Sequence, residues 1–596
     1  MNRQMSAQSL GLIKAAANPH GAEDCQLYLF TGNPTIAPVQ DIIPEEGLVL
    51  PPPRADLDSG SCRLKVLHIN DLHGHIVRFS MEGERPVLSR IVSRMRQIRT
   101  QYQDDPDTAV LAMSAGDDLV GAIFDELMGD DHDSFALHAG YRLYSSAGFD
   151  ISVLGNHDLD LGTDVLAQAI RRDARFPVLS ANLVGCQWLT GLYYPAALLV
   201  IKGIRVGIIG LTTPGAIRQP PDSNLQVVNP LRVTRNILPA IRPLCDVTII
   251  LSHLGHSLAD STATVRDAGD VELARSIPRG SVQLIVGGHT HNILNEYGLV
   301  VDNIVNGIPI VQAGGLGRFL GEVDISVQKQ GASVTNVRLT TTALQPADEQ
   351  FEEECVKPLV DIARPLFTRT LGRVANHPDL SSDAVQNNFA TGESALANFI
   401  ADALVARCKA NDYDVDLALV DGSVVRTGLP VGGELSFGVW FNLMPFADVL
   451  RITWITGQQL LMLVKDNACR IDLPTEPHTE RGFLHFSHQV RYRIKVGAER
   501  KDNQAFDIEV NGSSLEKQLD RSFQMVCSSF VRVLAEPWQR YARNTLGLPI
   551  MDIDLVSHLD TSLFLRDELV TYISENGGVT EAGGAKRDGR VEIVTA

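Results

Sequence analysis

The residues with the most evident chemistry fall in five short clusters: Asp71-Leu72-His73, Gly116-Asp117, Gly155-Asn156-His157-Asp158, Ser252-His253 and Gly288-His289-Thr290-His291. Together they offer imidazole with carboxylate, amide or hydroxyl oxygen, a donor set suited to zinc, manganese or iron. The eight cysteines stand apart with no CxxC pair, so a structural thiolate zinc site does not fit and an open, catalytic centre is expected. If the chain leaves each strand extended, residues i and i+2 face the same way, so Asp71 with His73, and His289 with His291, reach one cavity wide enough for two divalent ions. Glycines before Asp117, Asn156 and His289 allow the sharp turns that bring backbone close to an ion or an anionic substrate. One DxH or GD pair alone carries almost no information; five such clusters in series do.

Elements that can position them are legible in the apolar runs. Leu64 to Ile69, Ala109 to Met113, Ile151 to Leu154, Val206 to Ile209, Val247 to Leu251 and Val282 to Val286 read as strands buried on both faces, alternating with amphipathic helical stretches. This is an α/β layered pattern, and the clusters follow five of the strands, at the C-terminal edge where open α/β sheets hold their ligands. Residues 1–62 read as an irregular, proline-rich extension with one strand at Gln26 to Phe30, residues 63–345 as the catalytic domain and residues 346–370 as a charged helical connector. Residues 371–596 form a second α+β domain, with a helix from Ser394 to Lys409.

Composition narrows the function further. Over 596 residues, 44% are hydrophobic and 21% charged, so most of the chain folds, and the length favours more than one core. A formal net charge of −19 disfavours nucleic-acid backbones and anionic membrane surfaces as partners. Apolar runs such as Val247 to Leu251 are far shorter than the roughly 20 residues of a membrane span. Met1 to Ala17 lacks a continuous apolar segment, so no export signal is visible and a cytoplasmic setting is favoured on that ground.

The order DLH, GDD, GNHD, SH and GHTH resembles the calcineurin-like metallophosphoesterases, and the strings Gly155 to Asp160 and Gly288 to His291 resemble their 5'-nucleotidase and UDP-sugar hydrolase branch. The resemblance runs from Arg63 nearly to the C-terminus. It implies a four-layer α/β/β/α sandwich followed by a smaller α+β C-terminal domain, and a periplasmic or envelope setting at odds with the bare N-terminus. It also implies two divalent ions (Zn, Mn or Fe), with Asp71, His73 and His291 on the first, Asp117 bridging, and Asn156, His253 and His289 on the second. His157 would act on the phosphoryl group, oriented by Asp160. Two ions about 3.5 to 4 Å apart share a hydroxide and aim it in line at phosphorus. Asp118, Asp158, His75 and His256 lie beside these residues and are read as supporting or solvated groups.

In the second domain Asp421-Gly422-Ser423-Val424-Val425-Arg426 and Met444-Pro445-Phe446 resemble, more weakly, the substrate-binding motifs of the 5'-nucleotidase C-terminal domain. The family string is Asn-Gly-Gly-Gly-Ile-Arg, so Gly422 and Arg426 are kept while Asp421, Ser423 and Val424 depart. The resemblance implies that Arg426 contacts substrate and that Phe446, opposed by Phe486, clamps a base. Ala390 and Gly392 stand where the family often supplies arginines, which removes a bidentate partner for a terminal phosphate. The expected substrate is a nucleotide phosphomonoester. The alternatives are a nucleotide sugar, a 2',3'-cyclic nucleotide, a non-nucleotide phosphoester, a thiosulfate ester, or binding without turnover on a vestigial metal site.

Overall fold

The computed structural model describes residues 8–15, 25–52, 61–80, 83–129, 131–214, 224–257, 269–388, 392–422, 425–444, 448–471, 483–528 and 558–594. The chain divides into two compact units, Met1–Ala363 and Arg364–Ala596, and the division falls inside the expected connector. That connector is helical: Glu349–Phe351, a π-helical turn at Glu352–Val356 and the helix Lys357–Thr368.

Two large sheets build the core of the first unit. Nine strands run in the order Ile304–Val305, Ile308–Val311, Leu284–Val286, Val247–His253, Ile204–Thr212, Ala196–Ile201, Cys25–Thr31, Gln8–Lys14 and Val39–Pro44. Six more run Gly331–Thr341, Phe319–Gln328, Cys62–Ile69, Thr108–Ser114, Ile151–Val153 and Val178–Leu179. Side chains alternate across a strand. Leu64, Val66, Leu111 and Met113 of the smaller sheet therefore interleave with Val206, Ile208, Ile249 and Leu251 of the larger one in a shared core. The opposite face of the larger sheet, with Ile209, Ile250 and Ile285, is covered by Val233 and Ile237 of helix Pro230–Ile241 and Leu273 of helix Asp270–Ser276. On the smaller sheet, Glu322 points away from the core toward Arg94 of helix Leu88–Gln101, which also reaches Asp150 through Arg99. The result is the four-layer α/β/β/α sandwich.

The central strands are parallel. Ile204–Thr212, Val247–His253 and Leu284–Val286 align in one sheet, as do Cys62–Ile69, Thr108–Ser114 and Ile151–Val153 in the other. All five clusters therefore leave the same edge of the sandwich. Among the described residues no helix is long and apolar enough to cross a membrane.

The N-terminal segment corrects the sequence reading. Its strand at Cys25–Thr31 is there, but it pairs antiparallel with Ala196–Ile201 and carries Gln8–Lys14 and Val39–Pro44 beyond it, so the segment extends the large sheet. Leu10, Leu12, Tyr28 and Phe30 are buried in that sheet's outer core. Pro44 is tolerated because Val39–Pro44 is an edge strand.

The second unit is α+β. Its central sheet runs Leu484–Phe486, Leu417–Asp421, Ser522–Ser528, Val449–Thr456 and His558–Phe564, beside smaller sheets of three and four strands. Helix Ala395–Ala410, capped by the Ser394 hydroxyl, matches the expected helix to within a residue at each end.

Candidate active site

The parallel strands end within reach of one another, and the backbone there is unusual. Of the twelve non-glycine residues with positive φ among the described residues, five are Asp71, His73, Asp117, His289 and His291. The expectation of extended backbone after the strands gives way to left-handed turns, a conformation that costs energy outside glycine. Cross-links between turns hold it: the N–H of Asp71 donates to the Gly116 carbonyl at 3.0 Å, that of His73 to the Asp117 carbonyl at 3.0 Å, and that of His289 to the Asp71 carboxylate at 3.0 Å.

Six of the seven predicted ligands fall into two groups, Asp71 with His73 and His291, and Asp117 with His253 and His289, the donor atoms within each lying inside 4.8 Å. In the first, His291 Nε2 is 3.3 Å from Asp71 Oδ1 and 3.2 Å from His73 Nε2. In the second, His253 Nε2 is 3.0 Å from Asp117 Oδ2. The groups adjoin: His73 Nε2 lies 3.9 Å from that same Asp117 oxygen, and His253 Nε2 lies 3.9 Å from Asp71 Oδ1. The seventh residue, Asn156, is 1% exposed, and neither Oδ1 nor Nδ2 has a hydrogen-bond partner. A buried unpaired amide costs about 1 to 3 kcal/mol. A cation accepting Oδ1 removes the penalty on that oxygen, so the donor set fits divalent ions. Gly155 and Gly288 keep this packing possible, because a Cβ would sit 2.0 Å from Asp117 Oδ1 at Gly155 and 2.7 Å from the Ala115 carbonyl at Gly288.

The electrostatics suit cation binding. Burial works to raise the Asp117 carboxyl, but His253, His157 and His73 hold it well below the ordinary carboxylate range. Burial acts on Asp71 in the same sense, and His291 and His253 likewise keep it low. Burial pushes His73 down to about 3 and His289 to about 4, leaving neutral imidazoles with a lone pair to give. His253 is the exception: burial pulls it down, yet Asp117 and Asp71 override and push it up to about 10, so a cation bound there would take the place of a proton. His73 Nδ1–H donates to the Val120 carbonyl at 2.7 Å and His253 Nδ1–H to the Ala115 carbonyl at 2.6 Å, which turns both Nε2 atoms toward the cluster.

Beside the ligands, His157 Nδ1 meets Asp160 Oδ2 at 2.6 Å, and the His157 ring lies 5.2 Å from that of His73. Sequence reasoning missed three supports. Asn70 Nδ2 donates to Asp71 Oδ2 at 2.6 Å and to the Gly314 carbonyl, while its Oδ1 accepts from the Ala313 N–H at 2.7 Å. Gln312 donates to the Gly288 carbonyl at 3.0 Å and accepts from the Asn292 N–H at 2.9 Å. Buried Asp270, its carboxyl pushed up to about 8 by burial, accepts from the Ser252 hydroxyl beside His253. Position next to a ligand was the available signal for Asn70; Gln312 and Asp270 carried none.

Of the substrate contacts expected in the second unit, Arg426 is exposed. Phe446 lies outside the described residues, as does Ala390. Phe486 requires correction: it is 1% exposed in the core of that unit, with its ring edge-on to Tyr492 at 6.2 Å. A ring enclosed on both faces offers none to a base.

Residues 64–292 match the family described as calcineurin-like phosphoesterase, and residues 370–535 the 5'-nucleotidase C-terminal domain. The chain belongs to the 5'-nucleotidase family of calcineurin-like phosphoesterases. It is 25% identical over 437 residues to the trifunctional nucleotide phosphoesterase protein of Bacillus subtilis, a match covering 67% of this chain and 27% of that much longer relative. It is 26% identical over 440 residues to the 5'-nucleotidase of Vibrio parahaemolyticus, covering 67% of this chain and 73% of that one. Its fold is similar to that of the 5'-nucleotidase precursor from Thermus thermophilus, with a TM-score of 0.57 at 22% identity over 89% of this chain and 99% of that one. The family is one of metal-dependent phosphoric ester hydrolases.

Proposed function

We propose that the chain hydrolyses nucleotide phosphomonoesters at the edge of the sandwich, with Asp71, His73 and His291 holding one divalent ion, Asn156, His253 and His289 a second, and Asp117 shared by both. The observation that carries this reading is the pair of adjoining donor groups beside a buried, unpaired Asn156 amide. Divalent ions bound by these residues would supply Lewis acidity, lowering the pKa of water for attack at phosphorus and offsetting charge on the phosphoryl oxygens. The protein supplies the rest. Asp160 fixes the tautomer and orientation of His157 and favours its charged form, and His157 delivers a proton to the leaving oxygen through Nε2. Neutral His73 and His289 and the anionic Asp71 and Asp117 give a site whose own charge stays small enough to admit a phosphate. The second unit supports a nucleotide substrate through its match to the 5'-nucleotidase C-terminal domain and the exposed Arg426. The test is metal content after loading with manganese, zinc or iron, with phosphate release from adenosine monophosphate, a nucleotide sugar and a 2',3'-cyclic nucleotide. About two ions per chain and turnover greatest on the monophosphate are expected; two ions with no release from any phosphoester overturns the catalytic reading.

A further inference from the structure

Asp158 follows His157 in the GNHD cluster, but its side chain turns away from the donor groups. It is buried. Its Oδ2 accepts from the backbone N–H of Gly155 at 2.8 Å and of Asp117 at 3.3 Å, and its Oδ1 from the N–H of Asp118 at 3.2 Å. The favour is returned across the same gap, since Asp117 Oδ1 accepts from the N–H of His157 at 2.9 Å. The turns leaving two adjacent parallel strands, Thr108–Ser114 and Ile151–Val153, are therefore joined by a reciprocal exchange of carboxylates.

This exchange decides which oxygen of Asp117 is available. Oδ1 is taken by His157 and walled in by Gly155, where even a Cβ would come within 2.0 Å. Oδ2 is left facing both donor groups, 3.0 Å from His253 Nε2 and 3.9 Å from His73 Nε2. Asp117 itself sits at φ 53°, a conformation an aspartate keeps only where its surroundings hold it, and Asp158 receives its N–H. Because Asp158 spends both oxygens on three backbone donors, it is a poor ligand and a good clamp.

We propose that Asp158 is a positioning residue that locks the Asp117 turn so that one carboxylate oxygen is presented to both ions at once. The proposal rests on the dinuclear reading above and adds to it the residue that makes the pair communicate. Asp158→Asn keeps the size but replaces one acceptor oxygen with a donor aimed at N–H groups, so at least one arm of the clamp opens.

The test uses the full chain loaded with Mn(II), read by metal content, by the EPR signal of an exchange-coupled ion pair and by steady-state kinetics. The wild type is expected to show the coupled signal. Asp158→Asn is expected to keep its fold by circular dichroism and retain at least one ion, to lose the coupled signal, and to lose about 10- to 100-fold in kcat with KM little changed. Asp158→Glu restores both acceptor oxygens and is expected to recover the coupled signal. A coupled pair that survives in Asp158→Asn overturns the proposal, and so does a rate loss with coupling intact. If Asp158→Asn does not fold, Asp158→Glu decides: a folded variant with the coupled signal supports the clamp and one without it refutes it. A wild type that binds no ion pair sinks the dinuclear reading itself, a result distinct from any of these.

Discussion

The His157–Asp160 pair can be tested with a change of a single atom type. Asp160→Asn leaves an oxygen to accept from Nδ1–H but removes the negative charge 2.6 Å from the ring. The His157 side chain is 24% exposed and that of Asp160 11%, so the pair is largely withdrawn from water and its attraction is only partly screened. A hydrogen bond to a charged partner is worth about 1.5 to 3 kcal/mol, and at about 1.36 kcal/mol per tenfold the loss of charge corresponds to roughly 10- to 150-fold in kcat. The assay compares adenosine monophosphate with p-nitrophenyl phosphate. The alkoxide leaving from the nucleotide needs a proton from His157, whereas p-nitrophenolate departs without one, so the loss is expected in full on the first and only several-fold on the second. Metal content is expected to stay at two ions, because none of the seven proposed ligands is altered. Equal losses on the two substrates refute proton delivery to the leaving oxygen, and unchanged kcat on both removes His157 and Asp160 from the chemistry.

Gly155→Ala places a methyl 2.0 Å from Asp117 Oδ1 and 2.6 Å from the Asp117 nitrogen, so the carboxylate must move; bound metal is expected to fall below two ions per chain and kcat by about 100-fold, as for a misplacement near 1 Å, and two ions with normal turnover contradicts this. Glu322, 1% exposed in its side chain, pairs with the largely buried Arg94 at 2.9 Å and with the half-exposed Arg338 at 2.6 Å, while nearby Lys65 keeps Asp324 at 2.8 Å, so Glu322→Gln removes the carboxylate from Arg94 and Arg338 at a cost of about 2 kcal/mol. Burial raises this carboxyl, but Arg94, Arg338 and Thr340 hold it below its ordinary value, so its contribution is complete above about pH 4.3 and lost as pH falls through the folded value. The Tm gap between variant and wild type is therefore expected to narrow below pH 4, and a gap unchanged from pH 7 to 3 refutes the ion-pair account. Phe486→Ala is expected to cost about 3 to 5 kcal/mol in thermal or urea unfolding while leaving KM for adenosine monophosphate within twofold; a tenfold rise in KM at unchanged stability restores the clamp.

What could be read from the sequence, and what could not, divides along a physical line. Strands of a parallel sheet buried on both faces are nearly unbroken apolar runs, so Val247–His253 and Thr108–Ser114 announced themselves, and ligand types at their ends were conspicuous because buried charge is otherwise rare. Asn70, Asp270 and Gln312 stayed hidden because a polar residue acquires meaning only through its partner, and the Asn70 partner Gly314 is 244 positions away. Distance also hid the sheet to which the N-terminal segment belongs: the strand expected at Gln26 to Phe30 pairs with Ala196–Ile201, and Gln8–Lys14 and Val39–Pro44 went unread because the surrounding prolines spoke for loop. Phe486 failed for the opposite reason: an aromatic ring has the same composition whether it faces substrate or core, and only packing separates the two. The left-handed turns teach most. Positive φ is uncommon in any residue but glycine, even in histidine and aspartate, which adopt it more readily than most, yet His73, His289 and His291 all do so, alongside Asp71 and Asp117. A sheet edge that needed only to cap its strands would relax such residues; their retention at five of the seven proposed ligand positions means that the direction of the donor atoms, rather than the comfort of the backbone, determines the shape of this edge.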